Sequence, residues 1–386
     1  MGEVPRVLQL IAATVMLMGN LNRFVCEHFP ECVPSLCSVL SRPITSTLTQ
    51  LCISTVRTTY LTIGIEGIMS TMEPNLPFLT AIDLCAYFIT AHPTAYAEFF
   101  QRLLASRCHK LVTLVLRARL EDVEYLLQTS DNFLSLETLV VHFSALAIRK
   151  LALADGIHTL QILEGSGYEE SEFEEVSIPQ GIFPRLQTLS CPANRLLAFT
   201  SNRMERPYLT TVRLDDAFFL SKGRLPRSHQ WPLWESLHPN LLTLQHSTKN
   251  LVDLSFCVPE LDVHALLAAG LEFPRVQRLT VCTWKDPLNV QCLSEDEPIR
   301  QFLSGLPSLR MFRLSDGPMY EDQRPAKLFS YESHIAFQKT VVEKWGMSSS
   351  TLNHIALTTA YEWHRQLGSW YREGHERHLH QIYHEF

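Results

Sequence analysis

Residues 136–143 read LETLVVHF, and the same eight-residue phrase returns along the chain as LVTLVLRA from Leu111, IHTLQILE from Ile157, LQTLSCPA from Leu186 and LTTVRLDD from Leu209. Aligned on its first apolar residue, the phrase also starts at Leu48, Leu79, Leu251, Val276, Leu309 and Leu352, which makes about eleven units. Its fourth and sixth positions are apolar throughout, as with Leu139 and Val141 or Leu114 and Leu116. That period of two is what a strand with one buried face requires, because successive side chains point to opposite sides of a sheet. Each phrase therefore predicts one short strand.

The intervals between phrases run from 21 to 43 residues, room for one strand plus a helix or loop. Helical spacing fills several of them, in PTAYAEFFQRLLASR (93–107), opened by Pro93, and in LEDVEYLLQTSDNF (120–133). Strand alternating with helix predicts an α/β fold with parallel strands joined by crossovers. One Leu-rich phrase is set apart: NLLTLQHS (240–247) ends only a few residues before the phrase at Leu251, too close for a full unit. It is assigned to the helix before that strand.

The pattern L-x-x-L-x-L resembles the strand signature of leucine-rich repeats, and LQTLSCPANRL carries Asn194 and Leu196 where that signature continues. With its FPRLQTL-type strand starts, the segment VVEKWGMSSSTLNHIAL and the Trp-bearing end (Trp363, Trp370), the chain is similar to the irregular leucine-rich-repeat domains of the large fungal family of F-box proteins. The resemblance covers roughly residues 40 to 370. It implies an irregular leucine-rich-repeat solenoid, a horseshoe with parallel strands on the concave face and helices on the convex face. It divides the chain into a helical cap over 1–40 standing where a degenerate F-box would be, a solenoid over 41–362, and a Trp/His-rich tail over 363–386. For function it implies a non-catalytic substrate receptor of a cullin-RING ubiquitin ligase, with the Skp adaptor and a cullin as partners. Residues 1–40 lack the Leu-Pro opening of an F-box, so the alternative is a free-standing interaction or structural protein without a ubiquitin-ligase role.

In such a solenoid the residues flanking the buried positions of each strand face a partner. Those bearing charge or a titratable ring are Arg117, His142, Arg213, Asp215, Asp253, Arg278 and Arg313, which could form charge-assisted bonds to a protein. A column of Thr113, Thr138, Thr159, Thr188 and Thr211 on the same face reads as β-propensity rather than contact. Two loops also draw notice: the acidic GSGYEESEFEEVSIPQG (165–181), read as solvated, and the basic SKGRLPRSHQW (221–231), read as an insertion.

Composition agrees with a folded recognition module. The chain of 386 residues is 46% hydrophobic and 19% charged, enough to bury a large core. A net charge of −7 with no basic run argues against nucleic acid as partner. Ten cysteines spread through apolar segments suit a reducing cytoplasmic or nuclear compartment rather than a secreted disulfide scaffold. The apolar stretch VLQLIAATVMLMG (7–19) is too short to cross a bilayer and reads as a buried helix, with a signal sequence as its rival. Phosphate-loop, dinucleotide, nucleophile-elbow and zincin motifs are absent, so neither a catalytic site nor a cofactor is expected. No metal site is expected either. Cys26, His28, Cys32 and Cys37 lack paired zinc-ligand spacing, and His375, His378, His380 and His384 lie in a terminal tail.

Overall fold

The computed structural model of the chain describes residues 22–27, 47–55, 76–86, 95–118, 120–142, 147, 150–151, 154–163, 182–200, 205–214, 234–258, 273–283, 296–316, 331–357 and 361–374. The chain divides into two compact units, Met1–Leu186 and Gln187–Phe386. Each is α/β, built on a mostly parallel, unclosed sheet whose strands follow one another in chain order.

The first unit holds β1 (Arg23–Glu27), β2 (Gln50–Thr55), β3 (Ala81–Ala86), β4 (Thr113–Leu116), β5 (Thr138–His142) and β6 (Thr159–Leu163), all parallel to their neighbours. Its helices are α1 (Ala95–Arg107) and α2 (Leu120–Leu127). The second unit holds β7 (Thr188–Ser190), α3 (Leu196–Thr200), β8 (Thr211–Leu214), α4 (Trp234–Ser247), β9 (Asp253–Val258), β10 (Arg278–Thr283), α5 (Asp296–Ser304), β11 (Met311–Asp316), α6 (Tyr331–Ser348) and β12 (His354–Ala356). An antiparallel hairpin, β13 (Tyr361–Gln366) and β14 (Ser369–Gly374), closes it.

Each of the eleven phrases yields one strand, β2 to β12, beginning two residues after its first apolar residue. The phrases align residue for residue: Thr113 pairs with Thr138 and Thr138 with Thr159, while in the second unit Thr188 pairs with Thr211 and Thr211 with Asp253. A repeated hydrogen bond fixes this register. The carbonyl at the second position accepts two successive N–H groups of the next phrase: Val112 O takes Glu137 and Thr138 at 2.9 and 3.0 Å, and Thr210 O takes Val252 and Asp253 at 2.8 and 3.0 Å.

A turn sets up several of the strands. In Phe183–Leu186, Arg206–Leu209, Phe273–Val276 and Leu306–Leu309 the fourth residue donates its N–H to the carbonyl of the first, and proline stands second, where its fixed φ favours the turn. The first and fourth residues are buried and the middle two lie at the surface. The first, fourth and sixth positions of the phrases then stack into the core; Leu136, Leu139 and Val141 are buried, as are Leu251, Leu254 and Phe256. Burying each such side chain contributes about 1.5–3 kcal/mol, which is why the phrase recurs. Helices cover this core face: Phe312 of β11 meets Trp345 of α6 and Phe302 of α5, with ring centroids 5.5 and 6.2 Å apart.

Three expectations are refined and one is met. Residues 23–27, inside the segment read as a helical cap, form strand β1, paired in parallel with β2. The helical stretch from Leu120 ends at Leu127, because i→i+3 bonds tighten Gln128 and Ser130 and Asn132 turns left-handed at φ 69. Residues 240–247 belong to α4, as the spacing requires. The start of the Trp-bearing tail is the β13–β14 hairpin, joined by Leu367 (φ 50) and Gly368 (φ 83), the two positive φ angles of a type I′ turn. The apolar stretch 7–19, Cys32 and Cys37, the loops 165–181 and 221–231 and the tail histidines lie outside the described residues. No helix among the described residues is long and apolar enough to cross a membrane.

Candidate functional site

Alternation sends the third, fifth and seventh residues of each phrase to the face opposite the core. In the first unit this outer face is partly apolar. Val115, Val140 and Leu163 form a buried cluster on three successive strands. His142, in register with Leu163, is only 5% exposed and bonds to the Leu163 backbone. Burial, opposed by that bond, lowers its pKa to about 4 and keeps the ring neutral. Arg117 sits at the rim, its Nη1 3.2 and 3.1 Å from the two carboxylate oxygens of Asp83 on β3. Burial still raises the Asp83 carboxyl above its ordinary range, with Arg117 and a Cys52 hydrogen bond pulling the other way.

The second unit carries more charge on this face. Arg213 is exposed on β8, beside Ser190 and Ser255 on the adjoining strands. Asp253 and Arg278 stand directly opposite each other, with Arg278 Nη2 2.9 Å from the carboxylate. Arg313 of β11 extends past Ala356, its register partner on β12, to a short charge-assisted bond with Glu362 Oε1 on β13. Of the seven residues singled out from sequence, Arg117, Asp253 and Arg278 are thus tied to neighbouring strands and Arg313 to the next strand but one, His142 is buried, Arg213 is open, and Asp215 lies outside the described residues. Only ion pairs of this partly exposed kind are involved, each worth about 0–1 kcal/mol, so a partner could re-pair them at small cost.

No family model matches this chain, and no curated protein matches it.

One constellation escaped the sequence reading. His354, at the third position of its phrase, pairs across the antiparallel ladder with His364, and their rings lie 4.3 Å apart between centroids. Glu362 is two residues before His364, on the same face of β13. Its Oε2 is 3.0 Å from His354 Nε2 and 3.9 Å from His364 Nε2. The exposed Glu373 of β14 places Oε2 3.3 Å from His364 Nε2. Burial lowers the His354 pKa although Glu362 pulls it upward. The signal that could have found this site is E-x-H at alternating positions after a phrase whose own outer residue is histidine.

The underside of the hairpin is anchored. Trp363 Nε1 donates to Gln338 Oε1 of α6 at 3.2 Å, and Arg365 Nη1 donates to the Gly346 carbonyl at 3.3 Å. Trp370 packs so closely on Gly346 that a Cβ there would lie 2.6 Å from the indole nitrogen.

Proposed function

We propose that the chain is a non-catalytic protein-recognition scaffold, a leucine-rich-repeat solenoid that receives a protein partner on the outer face of its strands. The observation that carries this reading is the register. Because successive phrases align without slippage, outer side chains form straight rows on strands about 4.8 Å apart, the spacing along which a protein surface can be read side chain by side chain. Arg213, Asp253, Arg278 and Arg313 are the contact residues of the second unit, and Arg117 serves at the rim of the first. His142, buried on the same face, contributes by packing rather than by touching the partner.

The resemblance to F-box proteins supports a receptor that selects substrates for a cullin-RING ubiquitin ligase. The free-standing reading is favoured by β1, which makes residues 23–27 one more strand of the sheet within the span where an F-box would stand. Affinity purification of the tagged full chain from its native cell separates the two. A ligase receptor brings down the Skp adaptor and a cullin with its substrate; recovery of a partner without either subunit assigns the free-standing role.

A further inference from the structure

We propose that His354, Glu362 and His364 form a binding site for one divalent transition-metal ion of the zinc type, which clips the β13–β14 hairpin to the last parallel strand. All three offer ligand atoms lying within 4.8 Å of one another. A tetrahedral site with metal–ligand bonds of about 2.1 Å has ligand–ligand edges of about 3.4 Å. The observed separations from Glu362 Oε2, 3.0 Å to His354 and 3.9 Å to His364, straddle that value, so adjustments of about half an ångström complete the geometry.

The chemistry of the cluster points the same way. His354 Nε2 is buried and lies 3.0 Å from the Glu362 carboxylate. Arg313 occupies the other oxygen of Glu362, fixing the carboxylate with Oε2 turned toward the two imidazoles, the outer support that ligating carboxylates take. Two imidazoles with one carboxylate suit zinc better than calcium or magnesium, which take oxygen donors. The exposed Glu373 lies 3.3 Å from His364 Nε2 at the edge of the cluster. All three ligands stand on paired strands rather than loops, so the site is held by the ladder that His354 and His364 share.

The test uses the full chain with His375→Ala, His378→Ala, His380→Ala and His384→Ala, so that tail imidazoles do not compete, and Co²⁺ alone as the probe. Expected is one saturating equivalent with the visible absorption of a four-coordinate site and without the charge-transfer band that thiolate ligands give. His354→Ala, His364→Ala and Glu362→Gln should each weaken binding at least tenfold, and Zn²⁺ at a hundredfold excess over its Kd should raise Tm by about 5 °C. His364 is partly exposed, so His364→Ala keeps the test decisive if His354→Ala fails to fold. Absence of a saturable equivalent, or an equivalent that His364→Ala leaves at full affinity, overturns the proposal.

Discussion

Lowering the pH from 7 to 5 should cost the first unit about 2 kcal/mol through His142 alone. The ring titrates near 6.5 in an unfolded chain and near 4 in the fold, where burial disfavours its charged form. Between those values the unfolded chain binds the proton and the folded one does not. The stabilisation is therefore complete above pH 6.5, falls as the pH drops through the window, and is gone near pH 4, for a total of about 3 kcal/mol. Urea unfolding of wild type and of His142→Leu, measured at steps from pH 7 to pH 4.5, isolates this contribution from other titrating groups. Leucine is the residue that already stands in register at position 163, so the variant keeps an apolar group beside Val140. The wild-type curve should fall more steeply by about 2 kcal/mol between pH 7 and 5. Parallel curves for the two proteins would refute the assignment of a buried neutral histidine.

Two further changes test the second unit. Gly346→Ala drives a methyl into the Trp370 indole and should destabilise by about 1–3 kcal/mol; calorimetry of the Gly346→Ala, Trp370→Ala pair should give less than the sum of the single losses, because one contact is counted twice. Leu367, fully exposed at φ 50, is a branched side chain in left-handed backbone, and Leu367→Asn should stabilise by about 1 kcal/mol, read as a rise in the denaturation midpoint. A fall in the midpoint would contradict the turn geometry.

Much of the fold was legible because the phrase states its own rule. Leu136, Leu139 and Val141 name a buried face, and the same three positions recur in every strand from β2 to β12. Strand β1 escaped although its phrase from Leu21 fits the rule, with Phe24 and Cys26 standing where Phe312 and Cys191 stand in later phrases, because the apolar stretch just before it drew the whole segment into a helical cap. The hairpin escaped because Leu367 is a poor signal for positive φ. Residue types on the outer face were readable, but their partners were not: Arg117 and Asp83 lie 34 positions apart, and only strand pairing brings them together. Alternation also says which face His142 occupies without saying that Val115, Val140 and Leu163 make that part of the face apolar.

The recognition surface is tested most directly by charge reversal at Arg213, which is exposed and makes no ion pair among the described residues, combined with Arg278→Ala. The tagged wild type and this double variant are purified in parallel from the native cell and their bound proteins compared by mass spectrometry, with Tm confirming that both are folded. Loss of a bound protein from a variant of unchanged Tm is the predicted result. An identical set of bound proteins, in equal yield, would contradict a partner site on the outer face of the second unit.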